Sequence, residues 1–248
     1  NHQNKHQLWS WWGNSENTSF WMSAHILRAL KMAQDAGYPV ELNLNGLKVE
    51  YAHTRPYRGM KLEDIEILHA LHEWKVEADY SSAVRLLEPF VRQLEQKEDS
   101  LANRNKYYRP LSYLKEKLLL WEIKQQVDSV NVGDSVRPYL KKDMLEGVYC
   151  DDGRRTYYWE GNQMINTLIA YRIIKNDPSL CKLKENMQLY ILRTKERGWN
   201  TYQASSAVAT VLTDLLAGSG GMSGTSVSVS GKDHQRITEF PYHARLIA

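Results

Sequence analysis

The stretch from residue 157 to residue 218, YYWEGNQMINTLIAYRIIKNDPSLCKLKENMQLYILRTKERGWNTYQASSAVATVLTDLLAG, decides the fold class, because it runs twice through one pattern. An aromatic residue and a short polar cap lead into an apolar-periodic helix, a turn follows, and a second helix returns to the next aromatic. Trp159 and Trp199 mark the two starts, and 199 − 159 = 40 residues, the length of one helical hairpin. Self-similarity at such a period is the signature of stacked helix pairs. Asp177 before Pro178 supplies an N-cap acceptor and puts a proline at the first helical position, where its missing N–H costs nothing. Lys195 and Arg197 in a last turn, with Gly198 beyond, suit the macrodipole and the left-handed residue that ends a helix. Ala204, Val208, Val211, Leu212, Leu215 and Leu216 recur at 3.6-residue spacing, which predicts one continuous buried stripe on the last helix.

Working outward, the same signature returns near the start as LWSWWGNSENTSFWMSAHILRALKMAQDAG, residues 8–37. Trp9, Trp11 and Trp12 precede the capping residues Asn17, Thr18 and Ser19. A helix then presents Met22, Ile26, Leu30 and Ala33 before Gly37. Three segments, SFWMSAHILRAL (19–30), YYWEGNQMINTLIAYRIIKND (157–177) and GWNTYQASSAVATVLTDLLA (198–217), come in a fixed order. Together they resemble the thioester domain of the alpha-macroglobulin and complement proteins, especially its large bacterial relatives, over residues 8 to 218. The resemblance implies an α/α toroid in which these segments open inner helices. It further implies a protein outside the cytoplasm, periplasmic or on the cell envelope, whose partners are CUB-like and macroglobulin-type β-sandwich domains and target proteases. In such proteins a protected thioester is exposed after protease cleavage and captures a nucleophile. The Cys-x-Glu-Gln pattern that forms it does not occur here: either it lies upstream of this segment or the protein lacks it.

Between the motifs, apolar residues at 62, 65, 68, 71 and 74 predict a helix with a wide buried face. Residues 81–97 predict its partner, with Val84, Leu87, Val91 and Leu94 inward and Arg85, Glu88, Arg92 and Glu95 outward. Pro89 is expected to kink or split that helix, since the N–H it lacks would bond back to Arg85. Further helices are expected over 111–127 (Leu114, Leu118, Trp121) and over Val136 to Glu146, with Pro138 tolerated in the first turn. Residues 42–58, around Asn45-Gly46, read either as a small β-hairpin or as a loop. The expected fold is therefore all-α, about nine helices in antiparallel hairpins over residues 1–218. Periodicity alone leaves solenoid and toroid open, and the resemblance favours the toroid. From 219 to 248 a Gly/Ser linker gives way to a short β segment at Val227, Val229 and Arg236–Thr238, which by resemblance returns to a CUB-like β-sandwich.

Composition bounds the function. A chain of 248 residues, 42% hydrophobic and 25% charged, can bury a full core as one domain. It holds no apolar run of 18 residues, so no transmembrane segment is expected. A net charge of +3 does not point to a polyanion, and the basic aromatic run Lys106 to Lys117, with Tyr107, Tyr108 and Tyr113, reads as a helix lead-in with a solvated edge rather than a nucleic-acid surface. The initial Asn, with no signal peptide before it, reads as a segment of a longer chain. Cys150 and Cys181, both amid helices, read as reduced thiols.

Three groups of residues invite a chemical reading. Trp9, Trp11, Trp12, Tyr157, Tyr158, Trp159 and Trp199 form a candidate aromatic binding surface, expected to gather at one rim if each opens an inner helix. Asp151, Asp152 and Glu160 beside those aromatics offer a carboxylate pair for a carbohydrate-active toroid enzyme, the alternative to a non-catalytic module. The plainer reading is that the acids cap a turn and a helix start. Glu66, His69, His72 and Glu73 stand at helical spacings that zinc would accept, but such spacing is common on helices. No metal site, no cofactor and no catalytic residue are assigned.

The tail reading has a direct test. Large apolar side chains are few after Gly218 (Val227, Val229, Ile237 and Phe240 in the β segment), so deleting residues 219–248 should leave helical stability nearly unchanged. Thermal unfolding followed by helical circular dichroism checks it: a midpoint lower by more than about 8 °C would make the tail integral to the helical domain.

Overall fold

A computed structural model describes residues 3, 8–11, 18–44, 46, 59–156, 163–195 and 201–218. Helix α1 spans Phe20–Asp35, α2 Leu62–Glu73, α3 Tyr80–Arg104, α4 Leu114–Val127 and the short α5 Gly133–Val136. A 3₁₀ turn, Arg137–Tyr139, leads into strands β1 (Leu140–Lys142) and β2 (Val148–Cys150). Helix α6 is Gln163–Ile174, a 3₁₀ turn at Pro178–Leu180 opens α7 (Cys181–Thr194), and α8 (Thr201–Ala207) passes through a π-helical turn, Val208–Leu212, into α9 (Thr213–Gly218).

Local chemistry sets these boundaries. Ser19 caps α1 by accepting from Met22 N–H at 3.3 Å, and Gly37 beyond its end takes a φ of +88°. Asp64 accepts from Lys61 N–H at 2.7 Å at the start of α2, and Asp79 accepts from Ser82 N–H at 3.0 Å to start α3. Asp177 caps the turn at Pro178 through Ser179 N–H at 2.9 Å. Helix α3 is not split at Pro89. It continues through the proline for 25 residues, because Pro89 stands on the exposed side and Val84, Leu87 and Val91 anchor the helix on both sides of it.

Packing separates two kinds of helix. Helices α1, α2, α4, α6 and α8 lie side by side in that order. Helix α3 rests on α2 and α4, and α7 on α6 and β2. Residues 64–71 of α2 are buried on every face, as are 164–171 of α6, and α4 buries Leu114, Leu118, Leu119, Leu120 and Ile123. Helix α3 keeps one dry face and leaves Arg85, Leu86 and Arg92 in solvent. Each fully buried Leu, Ile or Phe contributes about 1.5–3 kcal/mol, so the helices covered all round carry most of the hydrophobic stabilisation.

Besides the unsplit α3, the structure departs from the sequence reading at four places. Residues 136–146 do not form a helix: β1 and β2 pair antiparallel there, Leu140 opposite Cys150. The cause is Asp143, whose Oδ1 accepts from Leu145 N–H at 2.9 Å and Gly147 N–H at 2.7 Å, with Glu146 at φ +62°, closing a turn that a helix cannot hold. In α1 the deepest face is Ala24, Leu27, Ser23 and Arg28, while Met22, Ile26 and Leu30 pack at its margin. The stripe expected on the last helix is broken: Val211 is fully buried, but Val208 and Leu215 are exposed, because the π turn adds a residue and rotates the face that follows. Around Asn45-Gly46, Leu44 and Gly46 are helical rather than extended, and Asn43 Oδ1 accepts from Gly46 N–H at 2.9 Å. Residues 47–58 and the β segment expected after 219 lie outside the described residues.

Candidate functional site

Of the aromatic surface read from the sequence, Trp12, Tyr157, Tyr158, Trp159 and Trp199 lie outside the described residues, as does Glu160. Trp9 is a core residue, 8% exposed, tied to α1 by Ser23, whose Oγ accepts from Trp9 N–H at 2.9 Å and donates to Trp9 O at 3.2 Å. Trp11 is 64% exposed and stacks on Trp21, ring centroids 5.5 Å apart and planes 9° from parallel. Trp21 in turn stacks on His25 at 4.8 Å.

The acids at the end of β2 hold turns. Asp151 accepts from Gly153 N–H at 3.0 Å and pairs with Lys141 at 3.3 Å, and Asp152 accepts from Arg154 N–H at 3.0 Å and Ser112 Oγ at 2.8 Å. Cys150 and Cys181 are free thiols, and burial, then the charges of Asp151 and Asp152, pushes Cys150 up to about 12, so it is not a thiolate at neutral pH. In the basic aromatic run, Tyr107 is exposed under Lys106, but Tyr108 donates to Glu98 at 2.8 Å and Tyr113 is in the core.

Glu66, His69 and Glu73 instead belong to a buried charge network across α1, α2, α4 and α6. Arg28 Nη1 meets Glu66 Oε2 at 2.5 Å, and Lys115 Nζ meets Glu66 Oε1 at 2.5 Å. Arg172 grips Glu122 with two parallel bonds of 2.7 Å, and His69 Nε2 lies 2.8 Å from Glu122 Oε2. Glu73 Oε2 stands 3.6 Å from His69 Nδ1 and 4.0 Å from Arg28 Nε. Burial opposes ionisation of Glu66, yet Arg28 and Lys115 outweigh it and hold its carboxyl far below the usual carboxylate range. Arg172, then His69, does the same for Glu122 against burial. Burial would lower His69, but Glu73 and Glu122 raise it, so it carries a proton more readily than a free imidazole. Among the described residues no group of three or more His, Cys, Asp or Glu is arranged to hold a metal ion.

Two hollows adjoin this network. The first, about 160 Å³, lies between α1, α2, α4, α6 and the α8–α9 helix, lined by Arg28, Glu73, Lys115, Leu119, Arg172 and Thr210 among others. The second, about 420 Å³, is an open cleft bounded by Trp11, Trp21, Ser19 and Leu62, with Glu63, Glu66, Lys115 and Glu116 along its floor. Glu116 is buried, and burial, with Glu66 and Asp152 adding to it against Lys115, pushes it up to about 7. Two neighbouring carboxyls thus differ: one is held ionised by two cations, the other is half protonated at neutral pH. The sequence offered a weak signal for these groups. Arg28, Lys115, Glu116, Glu122 and Arg172 are charged residues set within helices whose apolar positions run nearly all round.

No family model, no curated protein and no solved structure matches the chain.

Glu116 yields a pH prediction. Its folded pKa of about 7 lies above the ordinary 4.5, so the folded state binds more protons than the unfolded chain between those values. Stability contributed through this group therefore falls as pH rises from 4.5 to about 7, by on the order of 3 kcal/mol for a shift of that size. Glu116→Gln removes this loss, so its stability relative to the parent chain should rise from pH 4.5 to pH 8 in urea titrations. An unchanged difference across that range would mean that Glu116 titrates as an ordinary carboxyl.

Proposed function

We propose that this chain is the helical toroid of a large alpha-macroglobulin-like protein acting outside the cytoplasm in protease trapping, where it serves as the scaffold against which a reactive segment is shielded. One observation carries the reading. The three segments that carry the resemblance fall on α1, α6 and α8–α9, and residues of all three (Arg28 and Met32, Leu168 and Arg172, Ala209 and Thr210) line the same hollow. Two further helices of the same set, α2 and α4, complete that lining, while α3 packs on α2 and α4, and α7 on α6 and β2. A set of lining helices with further helices packed on them suits a toroid of helical hairpins.

The chemistry of the role is protection rather than turnover. An acyl group kept in a dry, aromatic-walled setting stays unhydrolysed until a rearrangement admits a nucleophile. This segment supplies rigid packing for such a device and no reactive acyl bond: Cys150 is buried as a thiol, and neither cysteine lies in a Cys-x-Glu-Gln setting. On its own it catalyses nothing.

The test uses the longer protein that contains this segment. Mixed with trypsin, it should retain the protease in a complex that hydrolyses a small chromogenic peptide and spares a large protein substrate, while the isolated segment takes up no methylamine. Trypsin that stays free and attacks both substrates, or stoichiometric amine uptake at Cys150 or Cys181, would overturn the proposal.

A further inference from the structure

The open cleft beside α1 combines two kinds of wall that rarely meet by chance. One wall is a stacked pair of indoles, Trp11 on Trp21, in which Trp11 remains 64% exposed. What distinguishes Trp11 from the other exposed apolar side chains is that it borders a cleft and stacks on a second indole. The floor is polar and of mixed character. Lys115 is a donor already paired with Glu66, Glu63 is a carboxylate at the margin, and Glu116 is a carboxyl nine-tenths buried at the edge of the hollow. Ser19 Oγ, which accepts from Met22 N–H, keeps its own proton to donate. The volume of about 420 Å³ falls within the range of about 300–1,000 Å³ usual for small-molecule sites.

We infer that this cleft binds a neutral saccharide, one pyranose ring lying on the outer face of Trp11 while its hydroxyls reach the Lys115–Glu116–Glu63 floor. A pyranose has a flat C–H face suited to an aromatic ring and a rim of hydroxyls that both donate and accept. The cleft offers an aromatic face together with polar groups of both kinds. A bare organic cation would also favour indole faces, but Lys115 stands in the floor and Arg28 lies just behind Glu66, so the site does not hold the uncompensated negative charge that a cation needs.

The Glu66–Glu116 pair is set to bind and not to cleave. Hydrolysis of a glycosidic bond needs one carboxyl as acid and a second free to act as base or nucleophile. Glu66, the ionised neighbour of Glu116, is locked between Arg28 Nη1 and Lys115 Nζ, both at 2.5 Å. The inference does not rest on the family reading, since it uses only residues of this cleft.

The test is a titration of the chain with cellotetraose and with tetra-N-acetylchitotetraose, read by tryptophan fluorescence and by calorimetry, with tetramethylammonium chloride in parallel. At least one oligosaccharide should saturate with a Kd of about 1 mM or tighter. Trp11→Ala should weaken it by about tenfold or more with an unchanged circular dichroism spectrum, since Trp11 lies outside the core. Trp11→Phe, which keeps a flat ring, should recover part of the loss. Neither sugar binding up to about 20 mM, a Trp11→Ala variant that binds as well as the parent, or tetramethylammonium binding more tightly than both sugars would each overturn the inference.

Discussion

Charges buried away from water have to be paired, and in this chain that requirement joins four helices. Glu66 and Glu122 are each about as buried as a core leucine, and an isolated carboxylate there would cost several kcal/mol. Each is met instead from two other helices: Glu66 of α2 by Arg28 of α1 and Lys115 of α4, Glu122 of α4 by His69 of α2 and Arg172 of α6. Apolar packing alone would tolerate small slips of one helix along another. Two-bond contact between a guanidinium and a carboxylate does not, because its donors and acceptors are fixed in a plane. The network therefore sets the register of the helices that line the central hollow, and the open cleft is placed by the same residues, since Glu66 and Lys115 contribute to both.

How much of this could be read from the sequence depends on whether the deciding interaction was local. Caps were legible, and Ser19, Asp177 and Pro178 act as their positions imply, because a helix start is settled within four residues. So were the existence of α2, α3 and α4 and the spans of α2 and α4 within a few residues, whereas α3 runs on past the expected 81–97 to Arg104 and is not split at Pro89. The hairpin at 140–150 was not. Val136 and Leu140 stand four residues apart, as on a helix, with Pro138 tolerable in a first turn, and the turn that overrides this depends on one side chain, Asp143, folding back on its own backbone. The stripe on the last helix failed for a related reason, since a π turn changes the phase of every later residue without leaving a mark in composition.

The polar site was the least legible part. Glu66, His69, His72 and Glu73 stand at metal-like spacings along one helix, whereas His69 and Glu73, besides facing each other, find Glu122, Arg28 and Arg172 on three other helices. Ser23 and Arg28 stand outside the face read for α1 from the sequence, Met22, Ile26, Leu30 and Ala33. In the fold they form part of its deepest face, each satisfied by a partner distant in sequence. Trp9 and Trp11, two residues apart and alike in the sequence, end in opposite roles: one is sealed in the core, and the other is presented on a cleft.

The claim that paired buried charges fix the helix register is tested most directly by a double-mutant cycle on Glu122 and Arg172. Arg172→Leu, which leaves the buried Glu122 with His69 alone, and Glu122→Leu, which takes from the half-buried Arg172 its two-bond partner, should each destabilise the chain, by up to about 3–5 kcal/mol in urea unfolding. The pair together should cost much less than the sum, with a coupling beyond about 1 kcal/mol. Single losses within about 0.5 kcal/mol of zero, or effects that simply add, would contradict the account and leave apolar packing as the sole determinant of the arrangement.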